Sequence, residues 1–205
     1  MLLFLEMKII SRLLLAVTFA TTLLLPNPVL SLEIKDKNKY LIDTRGDDGD
    51  LYLNRLSINK KLDSSAIEIS AFGEAQWNFD TTQWEKLLLG AEVSTTLYKY
   101  LYIGQSFQFI SGQMLDYMAF SVDNTSIDAT TKIGLKLPFA KHFSFQIFEE
   151  YSLNLEEGRG GYAETIAEIF YQPKDLYSIG IGWHHTDRIH NFDTDYVSSS
   201  MTLHF

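Results

Sequence analysis

The stretch IDATTKIGLKL, residues 127–137, sets Ile127, Ala129, Thr131, Ile133, Leu135 and Leu137 against Asp128, Thr130, Lys132, Gly134 and Lys136. A period of two is that of a β-strand, whose successive side chains point to opposite faces of a sheet. The rhythm continues outward from this segment. Phe143, Phe145, Ile147, Tyr151 and Leu153 alternate with Ser144, Gln146, Glu150, Ser152 and Asn154. Tyr177, Ile179, Ile181 and Trp183 alternate with Ser178, Gly180, Gly182 and His184, and Val197, Ser199, Met201, Leu203 and Phe205 with Ser198, Ser200, Thr202 and His204. From Ala66 onward the apolar residues never take up the helical spacing i, i+3, i+4, i+7, so the expected fold is all-β.

Alternation alone does not separate a soluble sandwich from a barrel in lipid. Three features choose the barrel. Lys8 and Arg12 precede an apolar run, Leu13–Leu25, and a short segment, Pro26–Ser31, with small residues at Val29 and Ser31, which reads as an export signal over residues 1–31. The alternative, a helical anchor, needs roughly 20 apolar residues, and this run is shorter and is stopped by Pro26 and Pro28. Connections alternate between tight turns (Asp63–Ser65, Tyr98 and Lys99, Pro138–His142, Pro173–Asp175) and longer or more polar loops (Gly112–Thr125, Glu156–Gly161, Arg188–Asp195). Aromatics gather at strand ends: Trp77, Phe79 and Trp84 on the loop side, Tyr98, Tyr100, Tyr171 and Tyr177 on the turn side, as two membrane interfaces require. The expected mature chain, residues 32–205, is one domain. With no cysteine in the chain, disulfides, thiol catalysis and a lipoprotein anchor are excluded, and a net charge of -9 without a basic block argues against nucleic acid.

The terminal segment Tyr196–Phe205, with Met201, Leu203 and Phe205 on one face, resembles the assembly signal of bacterial outer-membrane barrels. That resemblance implies recognition of Phe205 by the barrel-assembly machinery, contact with outer-membrane lipid and lipopolysaccharide, and a size and plan similar to the OmpA-like and OmpX-like barrels. Eight strands follow from Ala66, at about 66–79, 84–97, 100–111, 126–137, 142–155, 162–172, 176–187 and 195–205, and a ninth is Leu51–Leu62. Since such barrels close with even numbers, a tenth is expected around Ile34–Ile42, giving an antiparallel up-and-down barrel of about ten strands; eight is the alternative.

Even-numbered positions would then face the lumen, crowding it with Glu68, Glu74, Lys86, Glu92, Asp128, Lys132, Lys136, Glu150, Glu164, Glu168 and His184. The first reading of this set is a salt-bridged plug centred on Lys132, Glu150, Glu164, Glu168 and His184, because a narrow barrel is filled by its own side chains, and it goes with a non-enzymatic outer-membrane barrel of structural, adhesive or narrow-channel type. The second is a hydrolase triad, with Ser198 as nucleophile beside His184 and Glu164 orienting the histidine. Such a triad would make the protein a lipid-modifying enzyme of the lipid A deacylase type. A third function, a small-solute diffusion pore, is disfavoured by the narrow width. No cofactor and no internal metal site are expected, as His184 and His185 are consecutive on a strand and face opposite ways. Glu156, Glu157, Asp187, Asp193, Asp195 and His190 form a loop-side charged set for which divalent-cation binding is the alternative to simple solvation. On the outer wall, Gln105, Thr131 and Glu149 break the apolar face, with Thr131 expected opposite Glu149 and diagonal to Gln105. Either a homo-oligomer or partner contact covers that spot, or a bulge at Glu149 and Glu150 turns the acid inward.

Overall fold

A computed structural model describes residues 32–46, 49–62, 66–111, 125–187 and 193–205. The expected export segment 1–31, the turn at 63–65, most of the loop at 112–125, His190 and the side chain of Trp84 lie outside the described residues. Ten strands follow in chain order: β1 Leu32–Asp43, β2 Leu51–Lys61, β3 Ile67–Asn78, β4 Gln83–Leu97, β5 Leu101–Ser111, β6 Thr125–Ala140, β7 Phe143–Asn154, β8 Arg159–Lys174, β9 Tyr177–Asp187 and β10 Thr194–His204. Each pairs antiparallel with the next, and β1 pairs with β10, so the sheet closes on itself. At the seam the Phe205 N–H donates to the Ile34 carbonyl at 2.9 Å and the Ile34 N–H to the Phe205 carbonyl at 3.2 Å. Closure leaves no unpaired edge, and the tenth strand is the polar segment LEIKDKNKYLID.

The expected strands all form, and β1, β6 and β8 run longer. β6 continues through Pro138 to Ala140, where the register shifts between those residues; a bulge at that point accommodates a proline that has no N–H for the ladder. On the loop side two connections are as tight as those on the turn side. The Asn78 Oδ1 accepts the N–H groups of Asp80 (2.8 Å) and Thr81 (3.0 Å), and the Asn154 Oδ1 those of Glu156 (2.9 Å) and Glu157 (3.0 Å). The same asparagine turn thus closes both hairpins within a few residues, so the expected alternation of short and long connections is only partial.

From β3 to β10 the even-numbered residues face inward, as the alternation requires, but in β1 and β2 the odd-numbered ones do. Leu51 lies opposite Asn78 and Arg55 opposite Glu74, while Lys37 is flanked by Arg55 and Thr202. Three buried apolar clusters fill the lumen: Leu41, Leu51 and Tyr196; Phe72, Leu88 and Ile110; and Tyr102, Phe148 and Ile166. Small residues opposite them make this possible. A Cβ on Gly90 would sit 2.6 Å from the Phe72 ring, and one on Gly182 would sit 2.5 Å from Glu168 Cγ and 2.6 Å from the Ala167 carbonyl oxygen. Glycine is therefore required at these inward positions by close approach, not by backbone angle.

Candidate functional site

β1 carries lysines at every second residue, Lys35, Lys37 and Lys39, and the pleat turns all three into the lumen. Opposite Lys37 and Lys39, β10 presents Thr202 and Ser200, and β9 beyond it presents Ser178 and Gly180. Long side chains from β1 therefore pass over these small ones and reach β8. The Lys39 Nζ lies 2.7 Å from Glu168 Oε1, and Lys37 Nζ lies 3.8 Å from Glu168 Oε2. Glu168, only 4% exposed, is held by charge at that oxygen, which receives no aligned hydrogen bond.

His184 is tied into the same group. The Lys39 ammonium donates to His184 Nε2 at 2.5 Å, which leaves the ring proton on Nδ1, where it is donated to Glu164 Oε1 at 2.7 Å. The tautomer is assigned from these partners. The result is a chain Glu168, Lys39, His184, Glu164 drawn from β8, β1, β9 and β8, which bridges β1 to β8 over β10 and β9 on one side of the lumen. Lys132 and Glu150, directly opposite one another on β6 and β7, make a second ion pair, and Glu150 stands opposite Glu164 on β8. Arg55 lies 3.7 Å over the Phe72 ring and 3.6 Å from Glu74, and Lys136 lies 4.2 Å over the Tyr102 ring. Tyr102 donates its hydroxyl to Glu92. Charges in this narrow space are thus compensated by carboxylates or aromatic faces.

The expected set Lys132, Glu150, Glu164, Glu168 and His184 is brought together, and the lysines that complete it, Lys37 and Lys39, were not among the candidates. Their signal was present in the period-two lysines of KDKNK, which are unusual for a strand that must alternate between charge and lipid. The expected register of Ser198 is corrected. Ser198 lies opposite Gly182, and His184 lies opposite Tyr196, so serine and histidine are displaced by one pair of residues. The Ser198 Oγ is buried and makes no hydrogen bond among the described residues, while His184 Nε2, the atom that would accept a serine proton, already accepts from Lys39. Glu164 pairs across the ladder with Thr186 and reaches His184 diagonally.

On the outer wall, Glu149 points outward and β7 runs in unbroken register through Glu149 and Glu150, so the expected bulge is absent there; the shift falls between Tyr151 and Leu153. The expected pairing of Thr131 with Glu149 is also corrected: Thr131 lies opposite Gln105 and Tyr151, and Glu149 opposite Ile133 and Thr165. The Thr131 hydroxyl donates to Gln105 Oε1 and the Thr165 hydroxyl to Glu149 Oε2, both at 2.7 Å. A second outward polar group went unanticipated. Asn54 Nδ2 donates to Asp36 Oδ1 at 2.8 Å and to Asn38 Oδ1 at 3.1 Å, and Tyr52 donates to Asn38. This β1–β2 group and the β5–β8 group lie on opposite sides of the barrel, five strands apart in the closed order.

At the loop rim Arg45 pairs with Asp195, and His185 Nδ1 lies 2.9 Å from the same carboxylate. Arg45 also donates to the Asp193 carbonyl at 3.1 Å, fastening the β1–β2 loop over the seam. Glu157 is taken by Arg159 at 2.5 Å. Among the described residues no three His, Asp or Glu side chains converge as a cation site.

These features define a class: a closed up-and-down ten-stranded barrel with an apolar exterior and a charged interior filled by its own side chains. Several solved structures are similar to it. The KdgM porin in complex with disordered oligogalacturonate matches with a TM-score of 0.45 at 11% identity, over 83% of this chain and 98% of that one. The NanC porin matches with a TM-score of 0.46 at 9% identity, over 84% and 99%. The translocator domain of the autotransporter NalP from Neisseria meningitidis matches with a TM-score of 0.44 at 8% identity, over 98% and 96%. No family model and no curated protein sequence matches the chain.

Proposed function

We propose that the protein spans a bacterial outer membrane as a plugged barrel, a non-enzymatic membrane protein of structural type whose lumen admits at most water and small ions. The wall supports the membrane placement. Outward side chains such as Phe107 (56% exposed), Ile181 (62%) and Leu56 (51%) recur around the barrel, an apolar area far beyond what soluble monomers leave uncovered. Aromatic groups stand at both ends: Tyr40 packs 4.9 Å from Tyr52 and 6.4 Å from Phe79 at the loop end, and Phe143 packs 4.8 Å from Tyr171 and 6.0 Å from Phe139 at the turn end. The turn end, with the expected assembly residues Met201, Leu203 and Phe205 beside it, is the periplasmic one, and lipid and lipopolysaccharide surround the wall.

The observation that carries the plug is the Glu168–Lys39–His184–Glu164 chain, which bridges β1 to β8 inside the lumen, together with the three buried apolar clusters that share that interior. A pore of useful width would need those side chains elsewhere. Liposomes containing the protein are expected to exclude small sugars, and swelling in isotonic sugar at rates typical of general porins would refute the plug. Lipid A deacylation has less support, since the histidine nitrogen it needs is occupied by Lys39.

The outward Glu149 favours a second reading of the wall. Carboxylates at mid-membrane are costly in lipid, and we infer that the β5–β8 group meets a second copy of the chain, whose β1–β2 group on the opposite side offers the second N–H of the Asn38 amide to the Glu149 carboxylate.

A further inference from the structure

The turn end of the lumen is open and carries an excess of positive charge that the plug does not use. A cavity of about 320 Å³ lies there, lined by Lys35, Lys61, Lys99, Lys136, Glu68 and Tyr102, with the inward side chains of Ser94 and Thr96 along one side. Four ammonium groups face one carboxylate. Lys35 is 2.9 Å from Glu33, whereas among the described residues Lys61, Lys99 and Lys136 have no carboxylate within ion-pair distance. The partner of Lys136 is instead the Tyr102 ring.

Toward the middle of the barrel the cavity's lining includes Tyr102, whose hydroxyl is bonded to Glu92 and whose ring lies 5.4 Å from that of Phe148, and the Lys132–Glu150 pair stands on the neighbouring strands β6 and β7. The turn that delivers Lys99 is unusual in a second way. Tyr98 and Lys99 both have positive φ, 49° and 69°, in a position where hairpins ordinarily use asparagine and glycine. The strain is retained at a residue that adds positive charge to the mouth.

We propose that this vestibule binds a small, soluble, multiply charged oxyanion of the phosphate or pyrophosphate type. Its size sits at the lower end of the roughly 300–1,000 Å³ range of small-molecule sites. Lysines without arginine give point charges rather than a planar fork, which selects for charge number and suits tetrahedral phosphate better than a fixed carboxylate geometry. The hydroxyls supply neutral donors beside the charges. Assignment of this mouth to the periplasm rests on the membrane reading above, but the binding itself does not.

Isothermal titration of the refolded barrel in neutral detergent with inorganic pyrophosphate tests the site independently of any conductance or swelling result. Saturable binding is expected, weakening steeply with added salt, with acetate and neutral sugars failing to compete. Lys61→Gln and Lys136→Gln are each expected to weaken it about five- to tenfold, and Glu68→Gln to strengthen it by a similar factor. The Glu68→Gln gain guards against a trivial loss through misfolding. Absence of pyrophosphate binding to the folded wild type, or affinity unchanged in all three variants, would overturn the proposal.

Discussion

Replacing Glu168 by glutamine keeps the shape of the side chain and removes its charge. In the native barrel that carboxylate is almost fully enclosed, with Lys39 at 2.7 Å and Lys37 at 3.8 Å. At an effective dielectric of about 20 the gross attractions are about 6 and 4 kcal/mol. Most of that offsets the cost of taking three charges out of water, so the quantity to consider is the penalty of leaving two ammonium groups beside an uncharged amide. Breaking a buried pair from one side costs about 3–5 kcal/mol, and the residual amide dipole places Glu168→Gln near the lower limit. With a urea dependence of about 3 kcal/mol per molar, the unfolding midpoint falls by about 1 M. Reversible urea unfolding in lipid vesicles, followed by tryptophan fluorescence, measures it. The cycle with Lys39→Met should be non-additive, the double variant being less destabilised than the sum of the singles by about 1–3 kcal/mol. A Glu168→Gln midpoint within 0.2 M of wild type, or strict additivity, would refute the network as a structural plug.

Gly182→Val drives new atoms into Glu168 and the Ala167 carbonyl and should cost about 1–3 kcal/mol in the same assay, whereas Gly161→Ala, whose new Cβ meets nothing closer than the Ser152 carbonyl oxygen at 3.7 Å, should leave the midpoint nearly unchanged. Glu149→Cys, treated in membranes with a thiol crosslinker together with Asn54→Cys, should yield dimers, and exclusively monomeric product would remove the proposed contact. Ser198→Ala should leave the lipid A of expressing cells identical by mass to that of cells making wild type; an altered lipid A in wild type alone would restore the enzyme reading. Phe205→Ala should lower the amount of heat-modifiable, folded barrel in the outer membrane, and an unchanged gel shift would mean the terminal aromatic is not an assembly signal.

The wall of the barrel was readable because lipid and lumen impose opposite chemistries on adjacent residues, so IDATTKIGLKL could hardly be anything but a strand. β1 was harder. Its outward residues include Asp36 and Asn38, so the apolar half of the alternation is missing, and it was expected only because an odd barrel is rare. For the same reason its three lumenal lysines escaped notice, and with them the cations that complete the plug. The carboxylates and His184 were placed correctly on the inner face because parity survives an error of two residues, but pairing does not. Ser198 with His184, and Thr131 with Glu149, were each displaced by one step, since hairpin register depends on loop geometry that residue types do not fix. The vestibule was invisible in sequence: Lys35, Lys61, Lys99 and Lys136 are far apart along the chain and meet only when the barrel closes.

The central claim is that the lumen is closed by its own side chains, and single-channel recording in a planar bilayer tests it most directly. Purified wild-type protein is predicted to insert without sustained open steps, while the Glu168→Ala/Lys39→Ala variant, with the β1–β8 bridge inside the lumen removed, should show measurable conductance. Stable wild-type openings comparable to those of a general porin, unaffected by the double substitution, would contradict the account.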